Sequence, residues 1–150
     1  MKILSVGTDG SDGDTNAAGA YLDGDLYFKS ITDDQARSSV DGTVLVEKDA
    51  QLTSSDQLIN NLILSDKARA DSKPNLIINA DDVKCTHGNT VGQLDEEQLF
   101  YLKTRGLSEV IAKILLTQSF AASIVNMIPF DAVRKDLEDT LIRKLEVDID

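Results

Sequence analysis

Cys85 and His87 are the only cysteine and the only histidine in the 150 residues, and they stand two positions apart in "DDVKCTHGNTVG". A thiolate and an imidazole are the side chains that bind soft and borderline metals. They are also a nucleophile and a general base. The segment reads as a strand running into a glycine turn. In a strand, residues two apart share a face, so Val83, Cys85 and His87 align with roots roughly 6–7 Å apart. That spacing lets both touch one iron atom or cluster and is loose for a catalytic thiolate–imidazolium pair. No further base or oxyanion motif accompanies Cys85, so no catalytic residue is assigned. The plain alternative is a small buried thiol, with His87 bonded to the backbone before Gly88. Two ligands do not complete a tetrahedral or iron–sulfur site. As ligands, Cys85 and His87 need Asp81, Asp82, a cofactor or a second polypeptide beside them, which points to an interface.

Other chemistries find less support. Asp12, Asp14 and Asn16 match the first, third and fifth positions of a calcium loop. The sixth position is Ala17 instead of Gly and the twelfth is Asp23 instead of Glu, which favours a plain acidic turn. No GxxxxGK[ST] or dinucleotide fingerprint occurs, so no nucleotide is expected on this chain. A net charge of −11, its acidic excess concentrated in residues 1–60, argues against nucleic acid. The single cysteine rules out an internal disulfide. A mean hydropathy of −0.17 and the lack of an apolar run near 20 residues argue against a membrane span. "MKILSVGTDG" is too short for a secretory signal. A cytoplasmic location is expected, or a plastid-type organelle if a transit peptide is missing.

The elements that must position Cys85 and His87 fall into two textures, giving two domains, 1–93 and 94–150. Residues 1–93 hold short apolar runs between turn residues: "AYLDGDLYF", "GTVLVE", "NNLILS" and "NLIINADDVKC". The runs Leu62–Leu64 and Leu76–Ile78 suit strands buried on both faces. Sandwich, barrel and β-solenoid all remain open, and no exact repeat period emerges. After Leu94, Asp95 and Gln98 form a capping-box pattern before "EEQLFYLKTR", with Gly106 as a left-handed cap. Ser108 caps a second helix whose apolar stripe is Ile111, Ile114, Leu115, Ala122 and Val125, ending at Pro129. A third helix aligns Phe130, Val133, Leu137, Leu141 and Leu145.

"ADDVKCTHG", "TVGQLDEEQLFYL" and "RGL", in that order, resemble the C-terminal part of the SufD branch of the SufB/SufD family, scaffolds of SUF iron–sulfur cluster assembly. The resemblance runs from about residue 55 to 129, and weaker similarity reaches upstream through "FKSITDDQARSSVDGTVLVEKD". It implies a mainly β fold with α: a right-handed parallel β-helix, truncated here, followed by a small C-terminal helical domain. Shortening of the β-helix implies an exposed end with unpaired backbone. The implied function is non-catalytic. A SufB-like subunit is the expected partner, with a homodimer in its absence, and a SufC-type ATPase is expected on the C-terminal helices. Cys85 and His87 become candidate ligands of iron or a transient nascent cluster at the partner interface. A different class remains beside it: a β-solenoid interaction module, or truncated remnant, without a metal role.

Overall fold

The computed structural model describes residues 2–9 and 24–146, so the acidic turn at Asp12, Asp14 and Asn16 lies outside the described residues. The chain divides into two compact units, Met1–Val91 and Gly92–Asp150.

Six strands occupy the first unit: β1 (Lys2–Asp9), β2 (Leu26–Asp33), β3 (Arg37–Val46), β4 (Ser54–Ile63), β5 (Arg69–Ile78) and β6 (Lys84–Gly92). They form a four-stranded sheet in the order β1-β2-β4-β6 and a two-stranded sheet of β3 and β5. β2 and β4 are parallel, with Ser30 opposite Asn61, a shift of 31 residues. β3 and β5 are parallel with Arg37 opposite Arg69, a shift of 32. The corners between strands repeat at similar shifts. Ala36 and Ala68 are both fully buried, and the Arg69 N–H donates to the Ala36 carbonyl at 3.0 Å. At the next corner the Leu52 N–H donates to the Asp82 carbonyl at 2.6 Å, and the Asp82 N–H to Gln51 Oε1 at 2.9 Å. Alanine suits such corners because a larger side chain would hold the stacked backbones apart.

The parallel pairings bring segments about 31–32 residues apart side by side, without an exact period. "DDQAR" (33–37) returns as "SDKAR" (65–69), and "TVLVE" (43–47) as "NLIIN" (75–79). Only Asp34, Ala36 and Arg37 return unchanged, as Asp66, Ala68 and Arg69, because a strand position constrains size and polarity more tightly than residue type.

Two other expectations change. "NLIINADDVKC" is not one strand: β5 ends at Ile78, and Asn79–Val83 turn the chain into a different sheet before β6. Leu76–Ile78 is not buried on both faces, for Ile77 is 49% and Ile78 41% exposed. The interior is instead small and mixed. Ile31, Val46, Ile59 and Leu62 share it with buried Ser30, Thr32, Ser55, Gln57 and Asn61. Asn61 is paired across the interior: its Oδ1 accepts from the Ser30 hydroxyl at 2.6 Å, and its Nδ2 donates to Ser72 Oγ at 2.7 Å, whereas the Gln57 amide and the Thr32 hydroxyl are buried without a hydrogen-bond partner among the described residues. Such pairing is what makes a buried amide affordable. Gly42 of β3 is needed opposite Gln57, because a Cβ there would collide with the Gln57 amide nitrogen.

The second unit holds α1 (Glu96–Thr104), α2 (Glu109–Val125) and α3 (Asp131–Glu146). Asp95 caps α1 by accepting from the N–H groups of Glu97 and Gln98, and Gly106 takes a φ of 91° just past it. Ser108 caps α2 by accepting from the Ile111 N–H. α2 packs against both neighbours. Its buried face is Ala112, Thr117, Ala121, Ile124 and Val125, rotated from the expected stripe; Ile111 and Leu115 are exposed. In α3, Leu141 is buried, whereas Phe130 and Val133 at the start of the expected stripe are exposed. Among the described residues no helix is long and apolar enough to cross a membrane.

Candidate functional site

β6 ends the sheet order and pairs with β4, the Lys84 N–H donating to the Thr53 carbonyl at 2.9 Å. The strand does not stop at a glycine turn: it runs through Gly88 to Gly92. At Gly88 the backbone lies close to Leu58, whose Cδ1 would be 2.9 Å from an added Cβ. Asn89 is held by the interior amides, its Oδ1 accepting from Asn61 Nδ2 at 3.4 Å. The neighbouring Thr90 carbonyl accepts from the same Asn61 nitrogen at 3.1 Å.

Alternation along β6 puts Cys85 and His87 on one face and Thr86 on the other. On the Thr86 side, its hydroxyl donates to Asp56 Oδ1 of β4. The Asp56 N–H donates to Asp25 Oδ1 at 3.0 Å, and the Tyr27 hydroxyl to Asp25 Oδ2 at 3.2 Å. These bonds tie Asp25, just before β2, to β4 and β4 to β6, on the face of β6 opposite Cys85 and His87. The two differ in access: Cys85 is half-buried and His87 exposed.

Burial pushes the Cys85 thiol up, a hydrogen bond from the Ser55 backbone opposes the shift, and the Asp56 carboxylate adds to it. A thiol held protonated at neutral pH is a poor free nucleophile. It becomes a ligand when a metal displaces the proton. The strand geometry brings a thiol and an imidazole to one face of β6, and the raised thiol pKa argues against a free thiolate nucleophile there. It does not supply a full donor set: among the described residues, no group of three or more His, Cys, Asp or Glu side chains is gathered to hold a metal ion. Asp81 and Asp82 lie in the corner before β6, where the Asp82 backbone is tied to Gln51 and Leu52. A metal bound through Cys85 and His87 would need groups from outside the described residues.

Sequence reasoning missed the residues that hold the site: Asn61, Thr86, Asp56 and the corner before β6. The detectable signal was the spacing of 31 residues from Asp25 to Asp56, followed by 30 from Asp56 to Thr86.

Comparisons with known proteins identify the family. Residues 12–120 match the model of the SufBD core domain of SUF system FeS cluster assembly. An iron–sulfur cluster assembly SufBD family protein of Synechocystis is 46% identical over 106 residues, covering 71% of this chain and 23% of the relative. The iron–sulfur cluster assembly protein SufD of Escherichia coli is 37% identical over 109 residues, 73% of this chain and 26% of that protein. SufD of Bacillus subtilis is 34% identical over 128 residues, 85% of this chain and 29% of that protein. The chain thus spans 23–29% of the length of these relatives. On the residues matched, it belongs to the SufBD core family of the SUF iron–sulfur cluster assembly system and is of the SufD type.

Proposed function

We propose that this chain acts as a non-catalytic scaffold segment in iron–sulfur cluster assembly. It would pair with a SufB-like subunit and present its helices to a SufC-type ATPase. Family membership over residues 12–120 carries the proposal. The strands are read as successive turns of a right-handed parallel β-helix, supported by parallel pairing at shifts of 31 and 32 residues in two sheets. The partner strand would add to the β6 edge, where backbone groups on one side remain available. Iron or a nascent cluster is cargo here. Cys85 and His87 would supply two of its ligands and the partner the rest, which accounts for a donor pair left at a sheet edge. The helical unit offers exposed Phe100, Tyr101, Ile111 and Leu115 as the ATPase-facing surface.

Anaerobic addition of iron and sulfide to the chain with a SufB-type partner tests the ligand role. A chromophore that weakens in Cys85→Ala and His87→Ala, with complex formation unchanged, is expected. Equal chromophore in parent and variants would remove the ligand role and favour an interaction module without metal.

A further inference from the structure

The face of β6 that carries Cys85 and His87 continues the buried face of β4. The Lys84 N–H donates to the Thr53 carbonyl, Thr86 bonds to Asp56, and Asn60 Nδ2 donates to Thr90 Oγ1 at 2.7 Å. The two strands are therefore parallel, at a shift of 30 residues. That register sets Cys85 beside Ser55 and His87 beside Gln57. The hydrogen bond from the Ser55 backbone to the Cys85 thiol and the approach of Gly88 to Leu58 both agree with it. Ser55, Gln57, Ile59 and Asn61, two apart along β4, are all buried.

Gln57 is the unexplained member of this row. It is 1% exposed, and neither its Oε1 nor its Nε2 has a hydrogen-bond partner among the described residues. Its carboxamide crosses the interior to β3, where a Cβ on Gly42 would collide with Nε2. A buried amide left unpaired is destabilising, whereas an apolar side chain of that size would fill the space without loss. Around it stand Leu26, its register partner on β2, Gly42 across the interior, Pro74 opposite Gly42 on β5, and His87 on β6. Leu26, Gly42 and Pro74 offer no side-chain donor or acceptor, and His87 does. Ser55 lies two residues along the strand, roughly 6–7 Å away at its root.

We propose that the Gln57 carboxamide is the positioning partner of the His87 imidazole. Its Oε1 accepts the N–H of one ring nitrogen and leaves the lone pair of the other free on the exposed side. Residues opposite each other on neighbouring strands stand about 4.8 Å apart, within reach of a ring and a carboxamide. A metal-binding imidazole gains a fixed tautomer and ring angle from such a carbonyl. Gly42 contributes from the far wall, because a residue without a Cβ leaves room for the carboxamide. The pairing follows from register and burial, while its use in holding iron rests on the ligand role proposed above.

Nitrogen-15 NMR of the imidazole in the metal-free chain tests the pairing, at alkaline pH where imidazoles are neutral. His87 is the only histidine, so its ring signals are unambiguous. One ring N–H should exchange with water about tenfold or more slowly in the parent than in Gln57→Met, which keeps the bulk without the carbonyl. Gln57→Glu, whose carboxyl group also accepts, should retain the slow exchange. Gly42→Ala alters neither partner and should speed exchange by displacing the carboxamide. Equal exchange in the parent and Gln57→Met would overturn the proposal. If Gln57→Met does not fold by circular dichroism, the parent decides: a ring N–H exchanging as fast as that of free histidine overturns the pairing. Because His87 is exposed, its removal admits water to the carboxamide, so the ring proton reports the pairing and stability does not. With iron, sulfide and a SufB-type partner, Gln57→Met should weaken the chromophore. A full chromophore despite lost protection would overturn the positioning role. A protected ring proton without any His87-dependent chromophore would overturn the ligand role and leave the pairing standing.

Discussion

β4 and β6 lie side by side in one sheet, and both carry polar side chains in positions where strands usually place apolar ones. Their fates differ. In β4, Gln57 and Asn61 are buried, and Asn61 is paired to β2, β5 and β6. In β6, Cys85 is half-buried and His87 exposed, with no strand beyond them in that sheet among the described residues. The same alternation that makes one strand's polar groups structural leaves the next strand's available for chemistry. Position relative to the sheet edge, more than residue type, separates the two roles.

The largest expected effect tests the buried side of that contrast. Ile59, fully buried in β4, should cost about 2–5 kcal/mol as Ile59→Ala in urea unfolding. A cost near zero would mean β4 is not the core strand. Asn61→Ala strands the Ser30 hydroxyl and should cost about 1–3 kcal/mol by the same assay. Gly42→Ala forces the Gln57 amide to move within a packed interior and should cost about 1–3 kcal/mol, whereas Gly88→Ala need only displace the half-exposed end of Leu58. Equal costs for the two glycines would erase the difference between interior and edge. Removal of the exposed His87 imidazole should change stability by no more than about 0.5 kcal/mol.

The Cys85 thiol gives a pH test of its surroundings. Its pKa is raised chiefly by burial, so the reactive thiolate forms only above the ordinary thiol range. Iodoacetamide labelling of Cys85 should keep accelerating as pH rises through and beyond that range. A rate that levels off near neutral pH would show an activated thiolate and reopen the enzyme reading.

The helical unit was the more legible part of the sequence. Helix caps are local: Asp95, Gly106 and Ser108 each act within a few residues, and each cap sits where its residue type puts it. The buried faces were less legible. A stripe wide enough to include Ile111 and Leu115 does not reveal which edge meets a neighbour, and the neighbours covered Ala112 and Ala121 instead. In the strand unit the contacts that matter span about 31 residues, so they leave only a faint trace such as Ala36–Arg37 and Ala68–Arg69. Cys85 and His87 were visible because their types are unique in the chain. The register that holds them was not, since Asp25, Asp56 and Thr86 read individually as ordinary surface residues.

The central claim is that β6 and the helical unit make this chain an assembly subunit. Light scattering on size-exclusion peaks of the chain mixed with a SufB-type subunit, then with a SufC-type ATPase added, tests it most directly. The account predicts a defined complex with the first partner and a further defined increase in mass with the second. A chain that elutes alone in both mixtures, while folded by circular dichroism, would contradict it.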